Sequence, residues 1–141
     1  MTKLSFISIF VGSLIWLASC GGSKDNKNEE ANKAVYGQAK AEVYYFHGNR
    51  RCATCNAIEE LARNFVADTY KDNPEVKFFV INFDKEENKE IAGKFAVEWS
   101  SLFIASGDKK FDLTVEAFQY AKTDPEYLKG EMKKIIDDFL K

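Results

Sequence analysis

The chain has 141 residues, enough for one domain, of which 45% are hydrophobic (14% aromatic) and 30% are charged. This composition is typical of a globular protein and excludes a fibrous or largely disordered chain. The formal net charge is −2, and no run of Lys and Arg exceeds a pair such as Arg50-Arg51. Because such a surface could not follow a phosphate backbone, nucleic acid is not expected as a partner.

The N-terminus begins with an apolar segment, Leu4 to Ala18, that carries no charge and follows Lys3. The segment is too short to span a membrane comfortably and has the pattern of a secretory signal. It ends in Leu17-Ala18-Ser19-Cys20, followed by Gly21. These last four residues resemble the bacterial lipobox, in which the signal is cut just before a cysteine that carries lipid.

The lipobox resemblance implies a lipoprotein signal peptide over residues 1–19 and a lipid on Cys20. Residues 20–33 would then be the lipidated cysteine and a flexible polar tether. We therefore expect a protein anchored to a bacterial membrane, with the outer membrane favoured by Gly21 and the domain in the periplasm or at the cell surface. An uncleaved anchor or an ordinary secretory signal is the alternative, and either would also export the domain.

The cysteine count fits an exported redox pair. The chain has three cysteines. If Cys20 carries lipid, only Cys52 and Cys55 remain as thiols. Export places them in a compartment where disulfides persist.

The tetrad Cys52-Ala53-Thr54-Cys55 is the most informative motif in the chain. An apolar, aromatic stretch, Ala41 to Phe46, predicts a buried strand before it, and an amphipathic pattern predicts a helix from Cys52 to about Tyr70. Cysteines three positions apart lie on one side of a helix, so their sulfurs can meet in a disulfide. A CxxC pair where a strand turns into a helix is the arrangement used for thiol-disulfide chemistry.

The rest of the chain alternates strand and helix patterns. The stretch Ala34–Gln38 is compatible with a short strand or a stub of helix. The later predicted elements are a strand over residues 76–83, a charged helix over 86–95, a strand centred on 102–104, a hairpin turn at 106–109, a partner strand over 110–115, and a last helix with Thr123 or Asp124 as N-cap and Pro125 just inside.

The predicted order β-α-β-α-β-β-α, with a CxxC motif opening the first helix, resembles the thioredoxin-like fold. The resemblance implies an α/β domain over residues 34–141, with a central mixed sheet of about four to five strands flanked by helices. It also implies that Cys52 attacks a substrate disulfide and that Cys55 resolves the mixed disulfide. It calls for no cofactor and no metal, and we expect a monomer whose partners are exported proteins with thiols or disulfides.

Several positions depart from the thioredoxin pattern. Ala53-Thr54 replaces the Gly-Pro between the cysteines, and Arg51 replaces a tryptophan. Ser101 stands where a cis-proline is expected, and a trans peptide is predicted there because a non-proline cis bond costs about 2.5–4 kcal/mol. Phe46 stands where thioredoxin has a buried acid, so no carboxylate at that place can take the proton of Cys55.

Auxiliary roles near the cysteines are predicted for five residues: His47, Arg51, Thr54, Trp99 and Ser101. His47 could act as an acid or base, or be a loop histidine without a role. Arg51 would stabilise a Cys52 thiolate together with the helix N-terminus. Thr54 could donate to a thiolate, and Trp99 could contact substrate or pack in the core. Glu59, four residues after Cys55 on the same face of the helix, could lie near the sulfurs, but a solvated helix carboxylate is the default expectation.

Three functions are compatible with the sequence. The leading one is a lipid-anchored thiol-disulfide oxidoreductase of the cell envelope. The second is a thioredoxin-like binding module whose Cys52–Cys55 disulfide is static, which the Ser101 and Phe46 departures motivate. The third is a carrier of Cu(I) or Zn that uses both cysteines and His47.

Overall fold

The computed structural model describes residues 36–141. The predicted signal peptide, the whole predicted tether with Cys20, and residues 34–35 of the predicted domain lie outside the described residues. Within residues 36–141, none of the helices combines the length and the apolar character that crossing a membrane requires.

A four-stranded mixed sheet forms the centre of the fold, as the sequence predicts. Its strands are β1 (Ala41–His47), β2 (Val76–Asn82), β3 (Ser101–Ser106) and β4 (Lys109–Asp112), in the spatial order β2-β1-β3-β4. β1 pairs in parallel with β2 and antiparallel with β3, and β3 and β4 form a hairpin. The first six residues of β1 are all buried, because this interior strand is covered on both faces.

In the described part of the chain, four α-helices flank the sheet: α1 (Ala53–Thr69), α2 (Lys89–Lys94), α3 (Thr114–Tyr120) and α4 (Pro125–Leu140). A 3-10 turn, Glu86–Asn88, leads into α2. The N-terminus of α4 follows the predicted rule, because Asp124 accepts a hydrogen bond of 3.1 Å from the backbone of Tyr127 and Pro125 opens the helix.

The alternation of side chains along β1 builds two hydrophobic clusters, one on each face of the sheet. Val43 and Tyr45 pack on one face against residues of α1, α3 and α4, including Ile58, Ala62, Ala117, Leu128, Met132 and Ile136. Tyr44 and Phe46 pack on the other face with Phe79, Ile81, Ile91, Phe95 and Ala105. The sheet is thereby sandwiched between helices, and the loop after β1 lies at one end of it.

The prediction of a strand over residues 110–115 was wrong beyond Asp112. Leu113 still donates a backbone hydrogen bond of 2.8 Å to Leu102, but the Asp112 carboxylate then accepts from the backbone N–H of Thr114 at 2.9 Å. That contact turns the chain into α3, whose Ala117 is fully buried. The sequence pattern missed this helix because its one buried turn is too short to show a period.

The segment before β1 is neither the strand nor the helix considered for Ala34–Gln38, because its described part, from Tyr36, forms a turn. A buried carboxylate holds that turn. Glu42 is only 3% exposed. Its oxygens accept from the backbone N–H groups of Gly37, Gln38 and Ala39 at 2.9–3.1 Å and from the Tyr44 hydroxyl.

Candidate redox site

Cys52 and Cys55 form a disulfide where the end of β1 leads into α1, with their Cα atoms 5.0 Å apart. Cys52 is the N-cap residue of α1, and its Sγ accepts a hydrogen bond of 3.1 Å from the backbone N–H of Cys55. Cys52 is exposed, whereas Cys55 is only 6% exposed. The outer sulfur is therefore the accessible one, and it lies where free helix N–H groups favour negative charge.

Contacts with the end of β2 fix the loop between β1 and the disulfide. The backbone N–H of Phe83 donates to the His47 carbonyl at 2.9 Å, and that of Asn49 donates to Asp84 Oδ2 at 2.6 Å. Asn82 Nδ2 donates to Asn49 Oδ1 at 2.9 Å. A Cβ on Gly48 would lie 3.1 Å from the side chains of both Phe83 and Asp84, so a larger residue would require these side chains to shift by a few tenths of an ångström.

His47 ends β1 beside the loop. Its Nδ1 lies 2.9 Å from the Gly48 carbonyl oxygen, and its ring stacks on Tyr45 with centroids 6.2 Å apart. The structure thus places the predicted His47 near the motif and shows it held by its own loop.

Arg51 and Glu59 form an ion pair across the first turns of α1, and Arg63 binds the other carboxylate oxygen at 2.6 Å. The Glu59 side chain is 16% exposed, so it is partly withdrawn from water rather than fully solvated as expected. Burial would raise the pKa of the Glu59 carboxyl, but hydrogen bonds from Arg63 and Arg51 outweigh burial and lower that pKa. The charge of Arg51, predicted to act on Cys52, is therefore shared with a carboxylate.

Tyr45 is a site residue that the sequence analysis missed. It is fully buried, and its hydroxyl donates a hydrogen bond of 2.8 Å to the Cys55 carbonyl. The hydroxyl also interacts with the side chains of Arg51 and Ser100. Burial raises the pKa of Tyr45 and outweighs the opposing effect of Arg51, so the phenol stays neutral as a donor. The buried phenol thus joins the inner cysteine, the arginine and the loop before β3.

The loop before β3 approaches the motif through Ser101. Ser101 pairs with Phe46 of β1, is 4% exposed, and donates from its hydroxyl to the Trp99 carbonyl at 2.8 Å. Every peptide bond of residues 36–141 is trans, as predicted for Ser101. Trp99 is 63% exposed, so the core-packing alternative for it was wrong. Thr54 lies half-buried between the two cysteines.

The place of the acid in thioredoxin is filled by an aromatic ring. Phe46 is fully buried and packs against Phe95, with centroids 5.2 Å apart, and against Tyr44 at 6.0 Å. The buried carboxylate of β1 is instead Glu42, four residues earlier, which corresponds to about 13 Å along the strand. Glu42 thus lies at the opposite end of β1 from the disulfide.

The three ligands proposed for a metal carrier do not form a site in the structure. Among residues 36–141, no group of three or more His, Cys, Asp or Glu side chains is arranged to hold a metal ion. Both cysteines are engaged in the disulfide.

Comparisons with known proteins agree with this fold. No family model matches the chain, and no curated protein matches it. Among solved structures, oxidised thioredoxin O2 from Arabidopsis thaliana aligns with a TM-score of 0.53 at 20% identity, covering 76% of this chain and 87% of that one. A thioredoxin from Trypanosoma brucei brucei aligns with a TM-score of 0.48 at 21% identity, covering 89% of this chain and 100% of that one. The sheet order, the CxxC position and the first of these similarities establish that the chain has a thioredoxin-like α/β fold.

Proposed function

We propose that this protein is a lipid-anchored thiol-disulfide oxidoreductase of the cell envelope that acts on protein disulfides through Cys52 and Cys55. The observation that carries the proposal is the arrangement of the pair. An exposed sulfur at a helix N-terminus is disulfide-bonded to a buried sulfur one turn further on. That asymmetry supports attack by Cys52 and resolution by Cys55.

In the reducing direction, the Cys52 thiolate attacks one sulfur of a substrate disulfide. A Cys52–substrate disulfide forms, and the other substrate sulfur leaves as a thiolate that takes up a proton. The Cys55 thiol then loses its proton and attacks Cys52 Sγ, which releases the second substrate thiol and forms the Cys52–Cys55 disulfide. The substrate gains two electrons and two protons. The pair supplies both electrons, the Cys55 thiol supplies one proton and water supplies the other, and the reverse sequence oxidises a substrate dithiol.

Exposed apolar side chains near the motif support a protein substrate. Trp99 is 63% exposed and Val115 is 72% exposed. Trp99 lies two residues before Ser101, which pairs with Phe46 at the end of β1 nearer the disulfide. Val115 follows Thr114, whose Oγ1 accepts a hydrogen bond of 3.1 Å from the backbone N–H of Leu102, the residue after Ser101. Tryptophan is among the residue types enriched at protein interfaces, so Trp99 is the better supported contact for a partner chain, whereas a singly exposed Val115 is ordinary on a surface.

The membrane attachment rests on the lipobox pattern at Cys20. Wild-type chain produced in a bacterium should incorporate labelled palmitate and partition with membranes, and Cys20→Ser should lose both properties. Incorporation that survives the substitution would contradict lipidation at this residue.

The exchange activity is tested with the full chain purified in detergent. The reduced protein should reduce a protein disulfide, with substrate thiols counted by absorbance. Cys52→Ser should abolish the activity, and Cys55→Ser should trap a mixed disulfide that mass spectrometry locates on Cys52. Unchanged activity of Cys52→Ser would contradict the proposal.

A static disulfide in a binding module is the second candidate, and Phe46 together with Ser101 favours it, because both replace groups that assist turnover in thioredoxin. In that case millimolar dithiothreitol would leave the pair oxidised in the folded protein. Reduction within minutes would exclude the static candidate.

A further inference from the structure

The charged cluster at the start of α1 is more than a surface ion pair. The Glu59 carboxylate binds Arg51 with one oxygen and Arg63 with the other, and its side chain is only 16% exposed. Arg51 is 28% exposed at its side chain, and its guanidinium carbon lies 5.8 Å from the centroid of the Tyr45 ring. Ion pairs that are partly withdrawn from water are screened less than exposed ones.

The position of this cluster relative to the sulfurs follows from the chain and the helix. Arg51 immediately precedes Cys52. Glu59 follows Cys55 by four residues, so Cys55 and Glu59 lie on one face of α1. Tyr45 links Arg51 to the inner cysteine, because its hydroxyl donates to the Cys55 carbonyl and interacts with Arg51. The guanidinium is thus held by groups that also hold the inner cysteine.

Other charged groups of this end of the fold are engaged elsewhere or exposed. Asp84 accepts from the Asn49 backbone, and the His47 ring contacts the Gly48 carbonyl. Arg50 and Glu98 are exposed. The Arg51–Glu59 pair is therefore the charge arrangement of the described residues that is both held in place and adjacent to Cys52.

We propose that Glu59 is a positioning residue that restrains Arg51 and thereby makes the Cys52–Cys55 pair more reducing. Arg51 would stabilise a Cys52 thiolate if its charge were free, as a neighbouring cation does. The Glu59 carboxylate holds that cation and offsets part of its charge, so the thiolate is stabilised less and the disulfide is favoured over the dithiol. The inference rests on the proposed redox function, and it names Glu59 as a residue that shifts the reduction potential of the Cys52–Cys55 pair.

The test measures the pKa of Cys52 and the glutathione equilibrium in the full chain. After complete reduction with a phosphine, alkylation of Cys52 is followed against pH by mass spectrometry of its peptide, which needs no exchange activity. Glu59→Gln should lower the pKa of Cys52 by about 0.5 to 1. It should shift the glutathione equilibrium about three- to tenfold toward the dithiol, or about 15–30 mV to a less negative potential.

Two further variants separate positioning from a general loss of structure. Arg51→Gln should move the pKa of Cys52 and the glutathione equilibrium in the opposite direction. The effect of Glu59→Gln should fall by at least half when Arg51→Gln is already present, because Glu59 acts through Arg51. Glu60→Gln, the same charge change at the adjacent exposed residue, is the matched control and should leave both quantities unchanged.

The results that would overturn the role of Glu59 differ from those that would overturn the proposed redox function. A Glu59→Gln shift no larger than that of Glu60→Gln, or one that is fully retained without Arg51, overturns the inference even if the protein exchanges disulfides normally. A wild-type protein that exchanges no protein disulfide overturns the proposed function, while the pKa of Cys52 still reports whether Glu59 restrains Arg51.

Discussion

The two ends of β1 use charge in opposite ways. At the N-terminal end, Glu42 is buried, and its carboxylate is saturated by three backbone N–H groups and the Tyr44 hydroxyl. At the other end, the loop and α1 bring two arginines and one carboxylate beside a disulfide whose outer cysteine is exposed. The N-terminal end of β1 therefore holds a buried structural carboxylate, whereas the charged groups after its other end lie in the loop and α1 beside an exposed cysteine.

This difference shows why a buried acid on the central strand is not evidence for acid-base chemistry. A carboxylate with four hydrogen bonds to its own chain is a structural element. Burial, followed by the hydrogen bond to Glu42, raises the pKa of Tyr44 well above its usual range. At the disulfide end, the described residues include no carboxylate with four such bonds, and the charged side chains held there are Arg51, Glu59 and Arg63.

The largest effect is expected at the structural end. Glu42→Gln replaces two acceptor oxygens by one and turns an amide donor toward backbone N–H groups. We expect the free energy of unfolding to fall by about 3 kcal/mol, measured by urea denaturation of the oxidised protein. The potential of the disulfide should stay within error of the wild type. A loss below about 1 kcal/mol, or a clear change in potential, would break the contrast between the two ends.

Tyr45→Phe tests the buried contact at the redox end. The substitution removes the hydroxyl that donates to the Cys55 carbonyl but keeps the ring beside Arg51, and it should cost about 1–2 kcal/mol of unfolding free energy. Tyr120→Phe is the control, because the Tyr120 hydroxyl accepts an exposed hydrogen bond from the Gln119 side chain. Equal losses for the two variants would mean that the Tyr45 hydroxyl contributes nothing specific.

Glu59→Gln makes the pH dependence of stability testable. Since the pKa of Glu59 in the folded protein lies below its ordinary value of 4.5, its contribution is present above that pH and is lost as the pH falls through the lowered value. The wild type should exceed the variant by no more than about 1 kcal/mol at pH 7, because the group is partly solvated. Urea unfolding should show that the difference shrinks as the pH falls below 4.5; a difference that grows on acidification would contradict the sign.

Trp99→Ala should have the smallest effect on stability, below about 0.5 kcal/mol, because the side chain is 63% exposed. It should slow exchange with a protein disulfide several-fold and leave exchange with a small aromatic disulfide unchanged. Phe111→Ala, at an exposed ring paired with Ile104 farther from the disulfide, serves as the comparison. Equal rates for wild type and Trp99→Ala on the protein substrate would remove Trp99 from the recognition surface.

The sequence predicted those features that depend on local pattern. The strand before the motif, the helix that starts beside Cys52 and the cap at Asp124 all follow from periodicity and capping chemistry. It could not predict the burial of Glu42, because a glutamate in a strand is ordinarily solvated and its partners form a turn of no regular structure. Nor could it predict the contact of Tyr45 with Cys55 or the two arginines on Glu59, which depend on tertiary packing.

The reduction potential of the Cys52–Cys55 pair tests the central claim most directly. The full chain is equilibrated with defined glutathione or dithiothreitol ratios, and the oxidised fraction is read by mass after alkylation. A redox-active pair should titrate between about −300 and −120 mV. A potential below about −300 mV, where structural disulfides resist the glutathione pool, would contradict the claim that this pair exchanges with substrates.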